Sequence, residues 1–285
     1  MGTATTFDPA TEHARTRAAL AAVIDRLVRL LDAVPDRDAA SGVPHWTVGD
    51  AGAHLAAVHL GFSAVAAGEP MDWDALVPAG DLPFQRRIAD VNAVAIQLFD
   101  AEQRAGLGAH VADRGALFLR ATAELSPGTP LRTPWYGPDQ HLTVAAATGL
   151  LLSESLVHGL DIARGAGLPW TIAPEDASLV LGQAMPTMMP LALDPVRAAG
   201  VSVAFDLALR GGPRLAVVVD DGRATVTRDA PPRAYDCRIT ADPTAFLLVS
   251  FRRTPMWKAV ATGRIRATGR RPWLAPGLSR LISAP

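Results

Sequence analysis

The chain has little of several things, and each shortage excludes something. Among its 285 residues there is a single cysteine, Cys237. That rules out an intrachain disulfide framework and any multi-cysteine zinc site. There is one lysine, Lys258, so every other basic residue is arginine, a bias that reflects genome composition more than activity. Net charge is close to absent as well: 27 basic residues face 28 acidic ones. Nucleic acid and acidic membrane surfaces both reward a basic excess, and neither a basic stripe nor a helix-turn-helix signature occurs, so neither is expected as a partner. Long apolar runs are missing too. The longest, Leu142 to Leu152, carries two threonines and runs into Ser153-Glu154, well short of the roughly 20 apolar residues that span a bilayer. Met1 to Arg15 contains no apolar signal-peptide core. A cytoplasmic protein, monomeric or in a small homo-oligomer, with a small-molecule substrate is the expectation. Hydrophobic residues nevertheless make up 49% of the chain, ample for a sizeable core.

What is present divides into two grammars. From Thr11 to about Leu193 apolar residues recur at helical spacing. Helices are expected over Glu12 to Val34, Thr47 to Ala67, Phe84 to Leu125 with a break near Gly106 to Gly108, Asp139 to Ala166, and Pro174 to Leu193. Gly68 to Pro83 and Ser126 to Pro138 read as loops. Thr47-Val48-Gly49-Asp50 has the spacing of a capping box. Gly49 and Gly52, by contrast, weaken the helix they sit in. Beyond Asp194-Pro195, period-two alternation takes over: Val201 to Leu209, Leu215 to Val219, Ala224 to Thr227 and Asp236 to Thr240 read as strands. Asp220-Asp221-Gly222 marks a hairpin. Asp242-Pro243 opens a helix through Phe251, and a last helix lies near Leu274 to Ile282. The expected division is a helical domain over 1–195 and a small α+β domain over 196–285.

Chemistry is suggested by polar residues in apolar helices. The segment Leu142 to Arg164 is apolar nearly all round, which belongs inside a bundle. Yet it carries Glu154, His158 and Asp161, at spacings that put all three on one face. A buried carboxylate needs a partner. Glu154 and His158 satisfy each other by a hydrogen bond, or line a solvated stripe, or chelate a divalent cation; the residues alone leave these open. His54 sits two turns into the apolar second helix and is a satisfied core histidine or a third ligand. His59 lies about 140° around that helix from His54 and cannot face the same centre. A set of two histidines and one carboxylate leaves coordination positions free, the pattern of catalytic rather than structural sites, and facing helices of bundles recurrently supply such sets.

The pairing of Trp46-Thr47-x-x-Asp50-x-x-x-His54 with Glu154-x-x-x-His158-x-x-Asp161, followed by the change of grammar after Leu193, resembles the mycothiol-dependent maleylpyruvate isomerase family. That resemblance implies a DinB-like up-and-down four-helix bundle followed by a small sterol-carrier-like α+β domain, thus an α plus α+β fold. It implies that His54, Glu154 and His158 bind zinc or a similar divalent metal, and that mycothiol or another low-molecular-weight thiol is the cosubstrate. It further implies an arginine reaching the site from the second domain, for which Arg252 and Arg253 are best placed and Arg264 and Arg266 are alternatives. Asp161 either orients His158 or reaches solvent or a basic residue such as Arg164. Trp46 is expected to wall the metal helix, and Trp135 and Tyr136 either line the pocket or pack within their loop. Cys237, in a strand, is expected to be a buried hydrophobe, so the nucleophile would be borrowed. The implied activity is cis-trans isomerisation or thiol S-transfer on a small electrophile. A metal-dependent hydrolase on the same bundle and a non-enzymatic carrier of small apolar molecules or lipids are the other classes considered.

Overall fold

In the computed structural model, residues 8–78, 80, 82–228 and 234–282 are described. The N-terminal domain is mostly helical. Its elements are α1 (Pro9–Ala33), α2 (Val48–Ala67), α3 (Trp73–Leu76), α4 (Phe84–Ile96), α5 (Ala101–Ala105), α6 (Leu107–Ala121), a hairpin of β1 (Pro130–Arg132) and β2 (His141–Thr143), α7 (Val144–Ala166), α8 (Pro174–Gln183) and α9 (Met185–Leu191). After α10 (Pro195–Ala198) come β3 (Ser202–Leu209), β4 (Arg214–Asp220), β5 (Arg223–Arg228), β6 (Cys237–Ala241), α11 (Pro243–Ser250), α12 (Met256–Ala261), β7 (Ile265–Thr268) and α13 (Ala275–Leu281). Among the described residues no helix is long and apolar enough to cross a membrane.

Helices α1, α2, α6 and α7 form a four-helix bundle in which α1 and α2 each pack on both α6 and α7. Their ends are set by short-range chemistry. Asp8 accepts from the backbone N–H groups of Ala10 and Thr11 at the start of α1, where Pro9 needs no partner for a missing N–H. Thr47 and Asp50 complete both halves of the expected capping box on α2. Thr143 caps α7, and Gly68 and Gly167 end α2 and α7 in the left-handed conformation. Gly52 is explained by packing: a Cβ there would lie 3.1 Å from Leu107 and 3.2 Å from Leu31, so the missing side chain lets α2 approach its neighbours.

Several sequence expectations need correction: the loop expected over Gly68 to Pro83 holds α3, capped by Asp72, and α10 follows Asp194 where no element was expected. The stretch 84–125 breaks twice, because Asp100 and Gln103 build a capping box of their own that starts α5 before the break at Gly106. Ser126 to Pro138 is not all loop, and α7 starts at Val144 rather than Asp139. A hairpin with Leu131 opposite Leu142 occupies part of this region, its three-residue strands too short to show a period. The helix expected over 174–193 is divided at Ala184, since Pro186 cannot donate back to the preceding turn. Finally, α12 and β7 lie where no element was expected.

The sheet has the order β5-β4-β3-β6-β7, antiparallel except for the parallel β3–β6 pair. Asp221-Gly222 turns β4 into β5 with both φ values positive, at 40° and 80°, as an Asp-Gly hairpin requires. On the central strand β3, Asp206 is buried and binds Arg214 (Nε–Oδ1 2.6 Å) and Arg238 (Nε–Oδ2 2.5 Å) from the flanking strands. Burial alone would raise the Asp206 pKa, but these two guanidinium groups outweigh it and hold the carboxyl below its ordinary value. A depressed carboxyl pKa contributes stability above the unfolded-state value, near 4, and loses it as pH falls through the folded value. Asp206→Asn is therefore expected to cost about 2 kcal/mol at pH 7 and much less at pH 3, measured by urea unfolding at both pH values.

Candidate metal centre

The site is built where α2 meets α7. His54 on α2 puts its Nε2 3.2 Å from Glu154 Oε2, and His158, one turn beyond Glu154 on α7, puts its Nε2 3.3 Å from the same oxygen. One ligand atom from each residue falls within 4.8 Å of the others, a group able to hold a metal ion. Four donors at 2.0–2.2 Å around a tetrahedral ion stand about 3.3–3.6 Å apart, close to the two carboxylate–imidazole spacings. Two neutral-capable imidazoles and one carboxylate are also the donor chemistry that suits zinc and its neighbours. The residues present fit a small divalent cation.

Electrostatics keep the set poised. Burial works against charge on Glu154, but hydrogen bonds and attraction from His158 and His54 hold it ionised, well below the usual carboxylate range. Burial also opposes charge on His158, yet Asp161 and Glu154 on either side push it up to about 9. His54 goes the other way, lowered chiefly by burial and also by the charge of His158. Trp46, just before the α2 cap, covers both rings: its centroid is 5.0 Å from that of His54 and 5.9 Å, in a stacked arrangement, from that of His158.

Asp161 is fully buried and so does not reach solvent, contrary to one of the expectations for it. Its Oδ2 lies 3.1 Å from His158 Nδ1, although out of line for a straight hydrogen bond. Its basic partner is Arg253 and not Arg164: Arg253 donates from Nε (2.8 Å to Oδ1) and Nη2 (2.6 Å to Oδ2) in a bidentate pair with a fully buried carboxylate. These charges outweigh burial and lower the Asp161 pKa. Gly42 completes the cradle. Its N–H donates to the Asp161 carbonyl at 3.0 Å, and a Cβ on Gly42 would stand 2.6 Å from Asp161 Oδ1. Nothing in Ser41-Gly42-Val43-Pro44 beyond turn grammar marks this role.

Beside Glu154 lies a cavity of about 690 Å3 between the helical and sheet domains. Ser153, Tyr136 and Arg252 line it with Glu154, among mostly apolar neighbours. The Ser153 hydroxyl is buried without a partner among the described residues, and Tyr136 is pushed well above the ordinary phenol range by burial and by the Glu154 charge. Ser153 went unremarked in the sequence because one serine in a helix carries no signal. The two best-placed arginines thus part company: Arg252 reaches the cavity, while Arg253 is spent on Asp161. Arg264 pairs with Asp242 at 2.7 Å and Arg266 is exposed on β7, neither on the cavity wall. Trp135 packs on Phe62 and Trp73, outside the cavity lining. His59 is buried against Ser155 (3.1 Å), separate from the His54, Glu154 and His158 group, with its pKa lowered to about 4 by burial and then by His110. Cys237 is buried in β6.

The sequence profile described as the mycothiol maleylpyruvate isomerase N-terminal domain matches residues 11–163, more than half of the chain. The chain belongs to the mycothiol maleylpyruvate isomerase family. The matched span contains His54, Glu154, His158 and Asp161. The crystal structure of the mycothiol-dependent maleylpyruvate isomerase is similar over 94% of this chain and 96% of that one, with a TM-score of 0.53 and 14% identity, a likeness of fold. A histidine-to-alanine variant of that enzyme gives 0.49 over the same shares. The inverting sec-alkylsulfatase Pisa1 from Pseudomonas sp. matches at a TM-score of 0.35 and 11% identity over 72% of this chain, which spans only 33% of the sulfatase. That likeness carries no functional weight. No curated protein matches the chain.

Family membership and geometry together separate the two arginines experimentally. Arg253→Ala leaves a buried carboxylate with only His158 facing it and is expected to cost about 3 kcal/mol. Arg252→Ala, at an exposed side chain, should change stability by less than about 0.5 kcal/mol. Chemical denaturation of both variants checks the contrast.

Proposed function

We propose that this member of the mycothiol maleylpyruvate isomerase family is a thiol-dependent enzyme that isomerises, or transfers a thiol to, a small electrophile. Mycothiol or another low-molecular-weight thiol is the cosubstrate, and His54, Glu154 and His158 hold a divalent cation, zinc foremost. The observation carrying this reading is the convergence of two imidazole Nε2 atoms on one carboxylate oxygen at the edge of a cavity. When bound, such a cation supplies Lewis acidity and lowers the pKa of a coordinated thiol toward neutrality.

The chain's own residues do the rest. Trp46 covers the imidazoles and keeps water from that side. Asp161, braced by Arg253, fixes the orientation of the His158 ring through the nitrogen that does not face Glu154. Arg252 offers a guanidinium to a substrate carboxylate. No protein thiol is available for attack: Cys237 lies away from the cavity wall, and burial pushes its pKa up. In isomerisation the cosubstrate's thiolate adds to an activated cis double bond and leaves a single bond free to rotate. Its expulsion re-forms the double bond in the trans geometry and regenerates the thiolate. A second reading, carriage of an apolar small molecule without turnover, is favoured by the apolar lining of the cavity. A hydrolase on the same bundle would dispense with the thiol.

Elemental analysis of protein expressed with ample metal should find one divalent ion per chain, lost in His54→Ala with the helical circular dichroism retained. Asp161→Asn should weaken cation affinity about 10–100-fold. Asp161 and Glu154 hold the His158 pKa above its ordinary value, so protons compete with a cation there. Apparent affinity should therefore fall as pH drops from 8 to 6, with protons released on uptake, read by calorimetry in buffers of different ionisation enthalpy. Affinity unchanged between pH 6 and 8 would contradict this. With the metal-loaded protein, a panel of activated cis alkenes should turn over only when mycothiol is added. Turnover without thiol would favour the hydrolase, and none with any thiol would favour the carrier.

A further inference from the structure

The cavity beside Glu154 is larger and more apolar than a short, polar electrophile needs. At about 690 Å3 it is the size of sites that enclose drug-sized ligands. Met185, Met188 and Met189 from α9 give one wall an adaptable apolar surface. Trp273 and Val260 belong to the lining and are 70% and 53% exposed, so apolar surface continues outward to solvent. A short dicarboxylate would leave most of that surface wet.

Polar groups on the wall are few, and two of them lack partners among the described residues. Ser153 is 1% exposed and its hydroxyl has none. Arg252 makes no side-chain hydrogen bond or ion pair among the described residues and is held in an unfavourable backbone conformation. Helix α11 closes with the Arg253 N–H donating to the Leu248 carbonyl (2.7 Å) and the Arg252 N–H to that of Val249 (3.0 Å). This paired closure puts Arg252 in the left-handed region, at φ 58°, where glycine is strongly preferred because a Cβ is crowded. An arginine in glycine's place, unpaired and on a cavity wall, points to a ligand that repays the strain.

We infer that the substrate is a carboxylate carrying an extended apolar chain, its carboxylate paired with Arg252 and its chain lying in the methionine-walled cavity. This deepens the proposed function by naming the substrate class, and shares with that reading the pairing of Arg252 with a carboxylate and the chemistry at Glu154. Binding itself requires neither turnover nor thiol, so the two can fail separately.

The test is binding of straight-chain carboxylates of four to twelve carbons, and of the matching primary alcohols, to the full-length protein by displacement of anilinonaphthalene sulfonate. Carboxylate affinity should rise about fourfold per added methylene until the cavity is filled, with each acid binding at least about tenfold more tightly than its alcohol. Arg252→Gly should raise the melting temperature, by relieving the backbone, while lowering acid affinity to that of the alcohol. Met188→Trp should shorten the chain length at which the gain stops. Affinity independent of chain length, or acid preference that survives Arg252→Gly, would overturn the inference. Chain-length-dependent binding without thiol-dependent turnover would uphold it and remove the catalytic reading instead.

Discussion

A carboxylate in a helix as apolar as α7 stays charged only through what faces it, and Glu154 is faced by two imidazoles at nearly equal distance. Desolvation would otherwise favour the protonated acid. The same contacts that keep Glu154 ionised raise His158, and the burial that makes the site possible lowers His54. Burial and mutual contact thus pull the three groups of one polar triangle in different directions.

The triangle is not self-sufficient. Asp161 extends it through α7 to the second domain, where Arg253 closes a bidentate pair with a carboxylate that has no access to water. A second arginine, Arg228 at the end of β5, grips Glu12 of α1 on the other side of the bundle. Two guanidinium clamps thus fix the sheet domain against the helices, and the cavity is the space left between them. Fixing the domains in this way also fixes Arg252, whose position follows from the closure of α11 immediately before Arg253.

Much of this was legible in the sequence, for physical reasons that differ from part to part. Caps are local chemistry, so Thr47 with Asp50 and Asp221-Gly222 announced their turns. The polar residues of α7 were conspicuous against apolar neighbours, and helical spacing placed Glu154, His158 and Asp161 on one face. His54 could be paired with them only through the family resemblance, since a distance between two helices is not written in either. Short elements were lost: the three-residue strands of the β1–β2 hairpin never complete a period, and Pro186 divided what periodicity ran together. Tertiary partners were the least legible. Which of two adjacent arginines turns inward depends on one left-handed residue, and the need for glycine at position 42 appears only once Asp161 lies against it.

The central claim, one cation shared by side chains from α2 and α7, is tested most directly by X-ray absorption spectroscopy of the zinc-loaded protein. The account predicts about two imidazole nitrogens and further light-atom donors at roughly 2.0–2.2 Å, with that signal lost along with the ion in His54→Ala. A spectrum without imidazole scattering, or one unaltered by that substitution, would contradict it.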